Sequence, residues 1–215
     1  KPTPGNQPAV LQLLSRFVGG RAGERPNGPL VADANHNLYG VAVSSGSMMD
    51  CGGLGCGVVY RLSPPDPGHL AWNYAVIWRF SHPKGSSPIG SLAIDGSGNL
   101  YGATQYGGSD NFCTGDMGGC GVIFKLAPPV VNGDPWKFSL LHDFAHDTGA
   151  VPNGGLTFND DKSALYGSTS AGGTSSLDGL IFRMLAPAAG KIAWRYQVLY
   201  NFLGTANNDG SQPNG

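Results

Sequence analysis

Charge is scarce in this chain of 215 residues: Lys, Arg, Asp and Glu make up 13% of it, and the net charge is −1. No basic stripe or acidic tail is present, so neither nucleic acid nor an anionic membrane surface is an expected partner. Glu24 is the only glutamate among 14 acidic residues. Glutamate favours helix, whereas Asp, Asn, Gly and Pro favour turns. No window of about 11 residues places apolar side chains at a 3.6-residue period, which argues against amphipathic helices. A run of about 18 apolar residues is also missing, so no membrane span is expected. The opening Lys1-Pro-Thr-Pro-Gly-Asn-Gln-Pro8 reads as a linker, not a signal peptide, so export would rely on a signal outside this sequence. There is no Asn-x-Ser/Thr sequon.

Catalytic signatures are lacking too. There is no Gly-x-Ser-x-Gly, no P-loop, no His-Glu-x-x-His and no calcium loop of the Asp-x-Asp-x-Asp-Gly type. His142-Asp-Phe-Ala-His146-Asp147 is the only local His/Asp cluster, and no zinc-ligand spacing accompanies it. His142 falls where other copies of the same segment carry Trp78 and Tyr200, so it reads as a substitution in a core slot. The turn carboxylates Asp33 and Asp95 read as caps of tight turns, not as calcium ligands. The expectation is a protein that is not an enzyme and that uses no metal or cofactor.

Glycine (35) and proline (16) are abundant, and they punctuate a repeat. Leu-Tyr-Gly recurs with its tyrosine at Tyr39, Tyr101 and Tyr166, steps of 62 and 65 residues. Four segments align in each period. The first runs Pro26 to Asp33, Pro88 to Asp95 and Pro152 to Asn159, with Leu30, Leu92 and Leu156 in register. A short turn (Gly96-Ser-Gly98 in the cleanest copy) leads to the second, Leu-Tyr-Gly, so the two form a hairpin. The third, Gly57 to Leu62, Gly121 to Leu126 and Gly179 to Met184, alternates strictly and carries a cation at one position, Arg61, Lys125 or Arg183. The fourth has the strongest strand pattern: Trp72, Tyr74, Val76, Trp78 and Phe80 at period two, echoed from Trp136 and from Trp194.

Four antiparallel strands with two apolar faces must stack to bury themselves. The expected fold is all-β, a propeller-like array of four-stranded blades with a period of about 60 residues. A threefold β-prism is the alternative. The expected divisions are a linker at 1–9, a leftover outer strand at 10–18, blades at 26–80, 88–144 and 152–202, and the start of a further blade at 203–215. Three blades fall below the usual four to eight, so the expectation is that the chain continues or that chains complement one another.

The run Asp-x-x-Gly-Asn-Leu-Tyr-Gly-x-Thr-x-x-Gly-Gly, followed by Gly-Val-x-Phe-Lys-Leu-x-Pro, resembles the GloVer (Gloeobacter/Verrucomicrobia) tandem repeat. The match is specific for Asp95 to Pro129 and good for Pro152 to Met184. It is weaker in the first copy, where Val41 to Ser44 departs from the Thr-x-x-Gly-Gly part. The resemblance implies an exported bacterial protein of the choice-of-anchor group, secreted or held at the cell surface. It supplies no catalytic residues.

The four cysteines form two close pairs, Cys51/Cys56 and Cys113/Cys120, each in a Gly-rich loop, and the third repeat lacks both members. Pairs gained or lost together fit local disulfides and an oxidising compartment; free thiols or a four-thiolate metal site are the alternatives. Loops at one end of a rigid scaffold are where recognition concentrates. The expected binding loops therefore run between the second and third segments, with Asp50, Asp110, Asp116 and Asp178 as candidate contacts. Tyr39, Tyr101 and Tyr166, like Trp72, Trp136 and Trp194, are expected to pack between blades. The leading function is surface binding, adhesion or extracellular assembly, with a glycan, a surface polymer or the protein itself as partner. A polysaccharide-acting hydrolase or lyase is one alternative; a filament joined by strand complementation between chains is the other.

Overall fold

The computed structural model describes residues 11–46, 51–110, 113, 118–131, 133–174 and 177–214. They form thirteen strands in three antiparallel sheets, with short 3-10 turns and no α-helix among the described residues. The first sheet is β1 (Glu24–Ala32), β2 (Leu38–Ser44), β3 (Val58–Ser63) and β4 (Asn73–Arg79), in that order. The second is β5 (Ser86–Ile94), β6 (Leu100–Tyr106), β7 (Val122–Ala127) and β8 (Lys137–Asp143). In the third, the first strand is split into β9 (Ala150–Pro152) and β10 (Thr157–Phe158). Both halves pair with β11 (Ala164–Ala171), which is followed by β12 (Leu180–Leu185) and β13 (Arg195–Asn201). The repeat pattern thus becomes a repeat of sheets, each a meander whose register places the tyrosine opposite the cation: Tyr39 pairs with Arg61, Tyr101 with Lys125 and Tyr166 with Arg183.

Each sheet buries its faces against its neighbours. Tyr39, Val41, Val59 and Phe80 of the first sheet pack on Leu92, Leu100, Phe124 and Leu126 of the second. Tyr101, Ile123 and Phe144 then pack on Leu156, Leu165, Leu180, Phe182 and Met184 of the third. Phe80 meets Phe124 edge-on at 5.1 Å and Phe144 meets Phe182 at 5.4 Å, the same contact one repeat apart. A fully buried Phe contributes about 2–3 kcal/mol by area alone, which accounts for the recurrence.

The leading strands of successive sheets come close enough to demand glycine. A Cβ on Gly28 would stand 2.3 Å from the Gly90 carbonyl oxygen, and one on Gly90 would stand 2.4 Å from the Gly155 nitrogen. The Asn27 side chain also accepts the Gly90 N–H at 3.0 Å.

Two expectations are corrected. The fourth segment does not keep its five large side chains on one face. A bulge falls opposite Val59/Tyr60, and again opposite Ile123/Phe124 and Ile181/Phe182. An extra residue reverses the alternation. Trp72, Tyr74 and Val76 therefore pack with Tyr60 and Leu62 on one face, while Trp78 and Phe80 join the cluster on the other.

The second correction concerns the leftover outer strand at 10–18: residues 11–18 form no strand, and Val10 lies outside the described residues. A strand needs a ladder partner for its backbone groups, and residues 11–18 pair with no strand of the first sheet, whose order is β1-β2-β3-β4. Only the side chains keep a repeat-like place. Phe17 meets Tyr60 edge-on at 4.9 Å, as Phe80 meets Phe124, and Leu14 joins the same cluster.

Candidate binding clefts between the sheets

The hairpin turn joining the first two strands of a sheet is organised by one carboxylate. Asp95 accepts the N–H groups of Ser97 and Asn99 through Oδ1, and the Asn99 amide and the Tyr101 hydroxyl through Oδ2, all at 2.7–3.0 Å. Asp33 takes the same four bonds from Asn35, Asn37 (twice) and Tyr39. Turn cap and packing tyrosine are therefore one unit.

Burial alone would raise these carboxyls, but the donors from Asn37 and Tyr39, and from Asn99 and Tyr101, outweigh it and hold both below the usual range. Burial, then the neighbouring carboxylate, pushes the Tyr39 hydroxyl up to about 12 and that of Tyr101 up as well. The third copy differs. Asn159 replaces the aspartate, and its side chain holds Ser163 and the Ala164 N–H.

Beside each Asp–Tyr unit stands a cation on the next strand and a tryptophan from the following sheet. Tyr39 meets Trp136 edge-on at 5.8 Å, and Tyr101 meets Trp194 at 5.4 Å. The Lys125 ammonium lies 5.6 Å from the Tyr101 ring centre. These groups wall two clefts of similar size. The first, about 560 Å³, is lined by Asp33, Tyr39, Arg61, Asp95, Pro128 and Trp136. The second, about 550 Å³, is lined by Asp95, Tyr101, Lys125, Phe158, Lys162 and Trp194. Asp95 belongs to both. In the first, Arg61 Nε is buried without a hydrogen-bond partner.

Each cleft thus offers an aromatic wall and at least one cation, beside a turn whose carboxylate already accepts four hydrogen bonds from its own hairpin. Both carboxylates are held ionised, so neither serves as a proton donor near neutral pH.

The sequence-based candidates fall elsewhere. The loops between second and third strands lie at the opposite end of each sheet from the Asp turns. Cys51–Cys56 and Cys113–Cys120 are disulfides, so the third repeat alone lacks one. Asp50 and Asp116 lie outside the described residues. Asp110 accepts the His146 N–H at 3.0 Å and ties its loop to the segment that follows β8. The Asp178 carbonyl accepts the Gln212 N–H at 2.7 Å. Asp110 and Asp178 thus each hold a tethering contact within their own loop region.

Tyr39 and Tyr101 are buried between sheets, as are parts of Trp136 and Trp194, whereas Tyr166 and Trp72 face the two ends of the array and are half-buried. His142 stacks on Tyr196 at 3.8 Å, the place that Trp78 takes on Phe138 at 4.8 Å. No cluster of three or more His, Cys, Asp or Glu suited to a metal occurs among the described residues. The sequence did carry a signal for the clefts: tyrosine, cation and tryptophan recur at fixed positions in every repeat. Only the stacking of neighbouring sheets shows that the tryptophan of one repeat meets the tyrosine of the repeat before it.

The family model of the Gloeobacter/Verrucomicrobia repeat matches residues 3–215. No curated protein matches the chain.

Proposed function

The chain belongs to the Gloeobacter/Verrucomicrobia repeat family, and from its clefts we propose that it is an exported, non-enzymatic module that binds an extracellular glycan between its sheets. The observation that carries this reading is the recurrence of one side-chain set, Asp, Tyr, cation and Trp, in two clefts a single repeat apart. A sugar ring is amphipathic. Its C–H face packs on an indole or phenyl wall, and its hydroxyls accept from Arg, Lys and Asn. Two equivalent clefts suit a polymer whose chemistry also repeats, with affinity multiplied by simultaneous engagement.

Two disulfides fit an oxidising compartment outside the cytoplasm. The sheets are read as blades of a propeller, their leading strands turned to a common axis. The close approach of Gly28 to Gly90, and of Gly90 to Gly155, supports that arrangement. A glycan-cleaving enzyme would need two carboxyls with pKa values pushed apart, one of them upward. Asp33 and Asp95 are both pushed down, which favours binding over cleavage.

A glycan array probed with the wild type and with a Trp136→Ala/Trp194→Ala double variant tests the reading. Selective binding that the double variant loses is expected. Binding that survives it, or no binding by the wild type, overturns the proposal.

A further inference from the structure

The carboxylates bordering the two clefts are saturated, whereas the cations are not. Asp33 and Asp95 each accept four hydrogen bonds within their own hairpin, which fills the acceptor capacity of a carboxylate. Arg61, opposite Tyr39 in the first cleft, keeps its Nε buried with no acceptor. In the second cleft the Lys125 ammonium lies over the Tyr101 ring at 5.6 Å. The Lys162 ammonium lies over the Phe158 ring at 4.9 Å and donates to the Ile94 carbonyl at 3.4 Å. Among the described residues, none of these three cations is paired with a carboxylate.

The third repeat shows how the same cation can be satisfied from inside a sheet. Arg183 donates from Nε to the Gln197 side chain at 3.0 Å, and Gln197 is the residue opposite it on the fourth strand. The residue opposite Arg61 is Ala75, and that opposite Lys125 is Ser139. Alanine offers no acceptor, and serine only a short one. The cation is thus left for a ligand in the two repeats whose cations line a cleft.

Lys162 adds a second charge to one cleft only. It holds a left-handed turn position (φ 60), where the preceding repeat has Gly98 (φ 77). Gly98 lines the first cleft and brings no charge to it. A cation held against an aromatic wall, partly out of water, attracts an anion more strongly than one in open solvent.

We propose that the glycan these clefts take is acidic: a sugar ring packs on Trp136 or Trp194 while its acid group, a carboxylate or a sulfate, meets Arg61 in the first cleft and Lys125 with Lys162 in the second. This rests on the reading of the clefts as glycan sites and names the class of glycan. The planar fork of Arg61 suits an acid group that presents two oxygens, whereas the two lysines act as point charges. The second cleft carries the larger charge and is the more salt-sensitive of the two.

An array that pairs each uronic-acid oligosaccharide with its methyl ester, and each sulfated one with its desulfated form, tests the class. Circular dichroism confirms that each variant is folded. Binding confined to acidic members and weakened by salt is expected, and the uronate and sulfate arms separate the two sources of the anion. In titrations with the bound acidic probe, Arg61→Gln and the Lys125→Gln/Lys162→Gln double variant are each expected to weaken the altered cleft by about tenfold or more. Arg183→Gln, which changes a cation that lines neither cleft, is expected to leave binding unchanged. Neutral members bound as tightly as their acidic partners overturn this inference; if that binding is lost in Trp136→Ala/Trp194→Ala, the glycan reading itself stands. Acidic binding that survives both cation variants, or that Arg183→Gln weakens equally, overturns it as well. No binding to any member removes the glycan reading and this inference with it.

Discussion

His142 makes the protein acid-sensitive in a defined window. Its ring lies flat on Tyr196 at 3.8 Å and 4°, its edge meets Phe144, and its Nε2 is closed off from solvent with no partner. Burial lowers its pKa from 6.5 to about 4, against the opposing pull of the Asp143 charge. A group with a depressed folded pKa stabilises the fold above the unfolded value and loses that contribution as pH falls through the folded one. The contribution is therefore complete above about pH 6.5 and gone near pH 4. A shift of this size corresponds to about 3 kcal/mol, reduced to about 2 because the side chain is only partly buried.

Urea unfolding at steps between pH 7.5 and 4 should show stability declining across the window. His142→Tyr, which places the third repeat's residue at that position, should flatten that part of the profile by about 2 kcal/mol while leaving neutral stability within about 1.5 kcal/mol. A decline of equal size in both proteins refutes the assignment to His142.

Other substitutions probe the remaining parts of the account. Asp95→Ala removes four hydrogen bonds and orphans the Tyr101 hydroxyl, so chemical denaturation should report a loss of about 3 kcal/mol, whereas Asp95→Asn, which keeps an acceptor as Asn159 does, should lose about 1. Gly90→Ala sets a Cβ against the Gly155 backbone at positive φ and should cost at least about 3 kcal/mol, read as a lowered melting temperature. Reducing the disulfides should cost about 2 kcal/mol for each short loop closed, measured by unfolding with and without reductant.

Much of the fold was readable in advance because its signals are local. Alternation in Val58 to Leu62 and in Val122 to Leu126 survives intact in β3 and β7, and the Gly-rich turn before each Leu-Tyr-Gly marked the hairpin. The bulge in the fourth strand was not readable. Nothing in the composition of Val76-Ile77-Trp78 marks an extra residue, and the bulge emerges only from pairing with Tyr60.

Val10 to Phe17 carries strand-forming residues, yet 11–18 is not a strand. Strand formation depends on a partner that a local pattern does not show. The Asp–Tyr coupling spans six residues and was visible as two separate regularities, a turn cap and a packing residue. The clefts were hardest to foresee, because Tyr39 and Trp136 stand almost a hundred residues apart in sequence and meet only across stacked sheets.

The central claim is that equivalent clefts bind equivalent parts of one ligand. Calorimetric titration with a short oligosaccharide, chosen from the array, tests it by stoichiometry. Two sites are expected for the wild type, and one for each of Trp136→Ala and Trp194→Ala. Single variants that both keep the wild-type stoichiometry and affinity would contradict it.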